Sequence, residues 1–133
     1  MRVVDASVGF KWLVTETNSD KALSLYGDNL IAPDIFPTEV TNALQAAEWG
    51  NRIKDAQLYL GELMLYLPTL HNSTLLLPRA LEIASQARRS IYDCLYVALA
   101  ERENCELVTA DTKLLNAIRK DYPFVIPLDA VQP

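Results

Sequence analysis

Long apolar runs are missing from this chain. The longest unbroken one, Cys94 to Ala100, has seven residues, whereas a membrane-spanning helix needs about twenty. No transmembrane helix is expected. The first residues, Met1-Arg2-Val3-Val4-Asp5, reach an acid too early for a secretory signal, so a cytoplasmic location is expected. Histidine occurs once, at His71, which excludes a histidine-rich zinc site. His71 lies in Leu70-His71-Asn72 with no Ser or Cys nucleophile motif around it, which argues against a histidine-based triad. The two cysteines, Cys94 and Cys105, show no CxxC spacing and lie in or beside apolar runs. They read as buried free thiols. Four glycines are too few for a phosphate-cradling loop, and neither GxGxxG nor a GxxxxGK motif occurs. Positive charge is also scarce: 12 Lys and Arg stand against 17 Asp and Glu, a net charge of −5. That argues against a general, electrostatically driven DNA binder. It leaves room for a small basic patch beside an acidic pocket.

Apolar residues make up half of the 133 positions. A chain of this length and composition buries a real core, which excludes intrinsic disorder. One domain over residues 1–133 is expected, without repeats, low-complexity tracts or linkers.

Short β-branched segments alternate with helical periodicity. Strands are predicted at Arg2-Val3-Val4, Leu30-Ile31-Ala32, Thr69-Leu70-His71, Glu106 to Thr109 and Phe124-Val125-Ile126. Helices are predicted after Ser7, from about Asp20 to Tyr26, from about Phe36 to Trp49, from Ile53 to Leu67, from about Leu76 to Ala87, from about Ile91 to Glu103 and from Asp111 to Lys120. Val40, Ala43, Leu44 and Ala47 give the third helix its apolar face, and Pro37 suits its first turn. The Ile53–Leu67 helix is expected to bury Ile53, Ala56, Leu60, Leu63, Met64 and Leu67. The Ile91–Glu103 helix is apolar nearly all round and should be deeply buried. The pattern predicts an α/β fold: a three-layer α/β/α sandwich with a mainly parallel central sheet.

Open α/β sheets bind ligands outside the carboxyl ends of their strands. Asp5 follows Val3-Val4, and Asp111 follows Leu107-Val108-Thr109-Ala110. Glu39 and Asp93 fall in the first turns of predicted helices. Each acid also has a purely structural reading. Asp5 and Asp111 suit helix caps, Ser90-x-x-Asp93 fits a capping box, and Glu39 favours the helix dipole. If these ends share one sheet edge, four carboxylates meet there. They would repel, and would take up protons unless a cation lay among them. All-oxygen ligands suit Mg²⁺ or Mn²⁺, and such an ion can stabilise an in-line displacement at phosphorus.

Val3-Val4-Asp5-Ala6-Ser7, Pro37-x-Glu39-Val40-x-Asn42, Tyr92-Asp93-x-x-Tyr96-Val97-Ala98-Leu99-Ala100 and Leu107-Val108-Thr109-Ala110-Asp111 together resemble the PIN-domain family. The resemblance runs in order from about residue 2 to 128. The length and the last two motifs look most like the VapC-type toxins of toxin–antitoxin pairs. The resemblance implies a Mg²⁺- or Mn²⁺-dependent endoribonuclease with catalytic and metal-holding Asp5, Glu39, Asp93 and Asp111. Ser7, Asn42 and Thr109 match supporting positions of the family. Some members carry a further acid shortly after the last one. Residues 112 to 120 contain none, which leaves a second metal position without a ligand of its own.

RNA reaching an acidic mouth needs cations beside it. Arg88 and Arg89 precede the Asp93 helix, while Lys11 and Lys113 follow Asp5 and Asp111 by a turn or so. Each also reads as solvated surface charge. Single-stranded loops suit a narrow pocket better than A-form duplex. On the Ile53–Leu67 helix, Leu58 and Leu65 project opposite the main apolar face, with Tyr59 and Tyr66 flanking it. Such a helix is either buried on both sides or offers a partner surface. The family resemblance implies a cognate antitoxin there, and a homodimer. Two rival functions stay open: a non-catalytic PIN-like binding module, and a Mg²⁺-binding phosphoacceptor signalling domain. The second usually has paired acids after its first strand and a lysine ending its last. Here Asp5 stands alone and Phe124-Val125-Ile126 ends in Pro127.

Overall fold

Five short segments, β1 (Arg2–Val4), β2 (Leu30–Pro33), β3 (Thr69–His71), β4 (Glu106–Thr109) and β5 (Val125–Pro127), form one sheet in the computed structural model, which describes all 133 residues. The strand order is β3-β2-β1-β4-β5, and every pairing is parallel. Strands covered on both faces need apolar residues at consecutive positions. Val3, Val4, Leu107 and Val108 supply them and are fully buried.

From β1 the chain moves outward to β2 and β3, then returns to β4 and β5 on the other side. The order therefore reverses between β1 and β4. At such a switch point the connections leave in opposite directions and open a crevice at the strands' carboxyl ends.

Helices cover the sheet in an α/β/α arrangement. α1 (Ala6–Leu13) packs against α2 (Ser19–Ser24), α3 (Phe36–Trp49) and α4 (Ala56–Leu65). α5 (Leu77–Ala87) pairs with α6 (Ile91–Glu103), which lies against β1, β2 and β4, while α7 (Thr112–Ile118) packs on β5. α6 is apolar all round because it is enclosed: Cys94 through Ala100 are all buried. No helix is long and apolar enough to cross a membrane.

The Ile53–Leu67 helix is shorter than its periodicity predicts. Two carboxylates start it late: Asp55 accepts a hydrogen bond from the Gln57 N–H at 3.1 Å, and Glu48 accepts one from the Ala56 N–H at 2.8 Å. Ile53 is buried in the connection before it, Leu63 is the helix's one buried residue, and Met64 is exposed rather than packed. Leu58 and Leu65 are 72% and 76% exposed, so burial on both sides is excluded. Elsewhere the differences are at ends. α7 stops at Ile118 with Asp111 as its cap, and β5 is displaced one residue toward Pro127.

Gly9 sets the distance between α1 and α3. A Cβ at this position would lie 2.5 Å from Phe36 Cζ and 3.1 Å from Val40 Cγ2. Both neighbours are fully buried. Alanine in a helix interior is ordinarily favoured over glycine by up to about 1 kcal/mol. Here the overpacking cost of about 1–3 kcal/mol outweighs that gain. Gly9→Ala is therefore expected to lower unfolding stability by roughly 1–2 kcal/mol in urea titration. Stability equal to or above that of the parent chain would contradict this packing.

Candidate active site at the sheet switch point

Asp5 leaves β1 at the switch point and caps α1. Its Oδ1 accepts from the Val8 N–H at 3.4 Å, so the capping reading holds. The cap also has a second set of contacts. Ser7 Oγ donates to Asp5 Oδ1 at 2.5 Å and accepts from the Ala110 N–H at 2.9 Å. Thr109 Oγ1 donates to Asp5 Oδ2 at 2.5 Å and accepts from the Asp111 N–H at 3.0 Å. Two hydroxyls thus tie the end of β1 to the end of β4, with the Asp5 carboxyl between them.

Asp5 is 6% exposed. Burial pushes its pKa up to about 6, against the lowering effect of the Ser7, Thr109 and Val8 hydrogen bonds, and nearby Asp111 adds to the rise. A buried carboxylate at neutral pH calls for positive charge close by.

The other acids reach the same edge from helix starts. Glu39, in the first turn of α3, accepts a hydrogen bond from the Tyr96 hydroxyl at 2.7 Å. Burial raises the Glu39 pKa, the Tyr96 hydrogen bond opposes the rise, and Asp93 adds to it. Asp93, in the first turn of α6, receives Arg89 Nη2 on Oδ2 at 3.1 Å. Its N–H bonds to Ser90 Oγ at 3.2 Å, the backbone half of the expected capping box. Asp111 caps α7 by accepting from the Lys113 and Leu114 N–H groups at 3.0 and 3.1 Å. Its other oxygen, Oδ2, lies 3.9 Å from Arg89 Nη2.

The acids are gathered but not arrayed as a finished metal cage: no three Asp, Glu, His or Cys side chains stand close enough to hold an ion as placed. Hydroxyls occupy Asp5, a phenol occupies Glu39, and one guanidinium lies between Asp93 and Asp111. The donor set itself is all oxygen, which fits Mg²⁺ or Mn²⁺. The buried Asp5 carboxyl, with its raised pKa, is the group that a cation there would stabilise.

The remaining predicted residues divide. Asn42 is exposed and lines a groove between α3 and α4 with Pro37, Thr38, Gln45, Leu60 and Met64. It is not among the partners of the acids. Arg88 is exposed, in a left-handed conformation (φ 55°) at the end of α5. Lys113 is exposed beside Asp111. Lys11 departs from expectation. Its side chain is 14% exposed and its Nζ donates to Glu16 Oε1 at 3.0 Å and the Thr17 carbonyl at 2.8 Å. Although burial opposes it, the hydrogen bonds from Lys11 and Arg52 hold Glu16 below its ordinary value. Lys11 is thus a neutralised partner within the fold, not a free cation for RNA. Leu58, Leu65 and Tyr66 are exposed, and Tyr59 packs partly against the core.

Tyr96 has a role that its place in the motif alone does not disclose. It is 1% exposed, and burial drives its phenol far above the usual range, so it donates to Glu39 at any working pH. The signal was a hydroxyl inside an otherwise apolar run, since a buried tyrosine hydroxyl needs a partner. Burial likewise pushes the Cys94 thiol up to about 11, consistent with an inert core thiol.

Asp5 holds its proton more tightly in the fold than when unfolded. The stability this group contributes is therefore complete below its ordinary value of 3.8 and lost as pH rises through about 6. In EDTA, the parent chain is expected to lose about 2 kcal/mol relative to Asp5→Asn between about pH 4.5 and pH 7.5. Parallel urea-denaturation stabilities of the two proteins across that interval would contradict the buried-carboxyl assignment.

Comparison with known proteins bears on the family and the fold. A family model described as PIN domain matches residues 2–120. A protein named VapC ribonuclease Mb0985 from Mycobacterium bovis is 30% identical over 128 residues, covering 95% of this chain and 98% of its own. Ribonuclease VapC9 of Mycobacterium tuberculosis gives the same identity and coverage. Among solved structures, PAE2754 from Pyrobaculum aerophilum shares the fold with a TM-score of 0.74 at 23% identity, over 97% of this chain and 91% of that one. With the matched model spanning nearly the whole sequence, the chain belongs to the PIN domain family.

Proposed function

We propose that this protein is a metal-dependent endoribonuclease, the toxin of a type II toxin–antitoxin pair, working as one domain over residues 1–133 in the cytoplasm. The observation that carries the reading is the position of Asp5 and Asp111. They follow the two strands that flank the switch point and are joined there through Thr109. The names of the mycobacterial relatives support ribonuclease activity.

In this reading Asp5, Glu39, Asp93 and Asp111 hold Mg²⁺ or Mn²⁺, directly or through water. A bound ion of this kind lowers the pKa of water and offsets negative charge developing at phosphorus. Ser7 and Thr109 fix the Asp5 carboxyl so that both oxygens keep one orientation. Tyr96 does the same for Glu39, leaving Oε2 for the ion. Preset ligands avoid reorganisation when charge moves during reaction. In the same reading Asn42, exposed one turn beyond Glu39, meets substrate rather than orienting an acid. Arg88 and Lys113, both exposed at the rim, attract the phosphates of a single-stranded RNA segment. The surface of α4, with Leu58, Leu65 and Tyr66 exposed, receives the antitoxin or a second copy.

The test is cleavage of a mixed cellular RNA pool by purified, antitoxin-free protein in Mg²⁺, Mn²⁺ or EDTA. Discrete fragments that require metal are expected. Asp93→Asn is expected to lower the rate by at least about a hundredfold. Intact RNA in every metal, from folded protein, would overturn the nuclease reading and favour a non-catalytic binding module. Undiminished cleavage by Asp93→Asn would remove that acid from the site.

A further inference from the structure

Arg89 lies in the three-residue connection between α5 and α6, residues 88 to 90. The chain turns there through a left-handed Arg88 and an extended Ser90 that caps α6. This turn puts Arg89 one helical turn before Asp93, and its guanidinium enters the acidic edge rather than solvent. Nη2 hydrogen-bonds Asp93 Oδ2 at 3.1 Å and stands 3.9 Å from Asp111 Oδ2. The Arg89 side chain is 25% exposed. Its Nε is buried without a hydrogen-bond partner. The guanidinium is therefore held by the charge of two acids at one nitrogen, and is incompletely satisfied at another. A guanidinium keeps its charge at every physiological pH. The oxygen it bonds and the oxygen it approaches belong to two acids of the proposed metal site, one on α6 and one before α7.

We propose that Arg89 is an internal counter-ion that competes with the divalent metal for Asp93 and Asp111 and so weakens metal binding. This inference rests on the metal site proposed above. Nη2 takes up one lone pair of Asp93 Oδ2, and its positive charge beside Asp93 and Asp111 repels a second cation, so metal entry is opposed while the guanidinium stays in place. An orphaned Nε–H makes the present seat easier to leave than a fully bonded one, because the group gains partners on departure. The released side chain remains at the rim beside Arg88, where RNA phosphates offer bidentate acceptors.

Mn²⁺ alone, without RNA, is titrated calorimetrically into the full-length protein and into Arg89→Gln and Arg89→Met. Both variants are expected to bind Mn²⁺ about tenfold tighter, equivalent to about 1.4 kcal/mol. Arg119→Gln removes the same charge at the far end of α7 and is expected to stay within about twofold of the parent. Thermal melting supplies a second readout. The Arg89 variants should have a lower Tm than the parent in EDTA, where the acids lose their counter-ion, and an equal Tm in saturating Mn²⁺. Parent and variants binding Mn²⁺ with equal affinity, or the variants binding more weakly, would overturn the role of Arg89 alone. An equal loss of Tm with and without Mn²⁺ would also overturn it, by marking a structural contact. Absence of Mn²⁺ binding by any of the proteins would overturn the metal site itself.

Discussion

The carboxyl of Asp5 is shut into the edge of a parallel sheet between two hydroxyls, and much of the surrounding structure follows from keeping it there. A charge with 6% exposure is costly in the absence of hydrogen bonds and opposite charge. Ser7 and Thr109 supply the hydrogen bonds, and each is tied in turn to the backbone at Ala110 and Asp111. The result is a short bonded circuit that joins β1 to β4 at the one place where strand order reverses. Because the circuit ties Asp5 and Ser7, which directly follow β1, to Thr109 and the backbone at the end of β4, a slide of either strand would break it. The sheet therefore orients Asp5, and Asp5 in turn helps fix the register of the sheet's centre.

The helices bring charge to that place with little freedom. Gly9 lets α1 and α3 approach closely, which sets Glu39 relative to Asp5. α6 is enclosed along seven consecutive residues, so Asp93 in its first turn and Tyr96 one turn later hold their positions through packing. The Tyr96 hydroxyl then links α6 to Glu39 on α3. Cations are used differently on the two sides of the site. Lys11 is drawn away by Glu16 and Thr17, while Arg89 is drawn in by Asp93 and Asp111. The free charges nearest the rim are Arg88 and Lys113.

Much of the architecture was legible because strands and buried helices leave strong patterns. The helices expected at about Phe36–Trp49 and about Ile91–Glu103 are found there. In α3, Pro37 marked the start; in α6, Ser90 did. α4 was misread because apolar residues occur all round it. Periodicity finds an apolar face but cannot say which face the rest of the molecule covers, and the Glu48 carboxylate that starts the helix at Ala56 arrives from another helix. The acids were legible as strand-end and first-turn residues. Their partners were less so. Arg89 and Asp93 are an i, i+4 pair that sequence can suggest, but the approach of Asp111 depends on how β4 is placed. Lys11 illustrates the converse: closeness to Asp5 in sequence did not determine where its side chain went.

The central claim is that these four acids form one divalent-cation site at the switch point. A crystal of the protein soaked in Mn²⁺ and measured at the manganese absorption edge tests it most directly. The account predicts one anomalous peak among Asp5, Glu39, Asp93 and Asp111, with the carboxylate oxygens of at least two of them about 2 Å from it. At saturating Mn²⁺, a peak bound elsewhere, or none among these carboxylates, would contradict it.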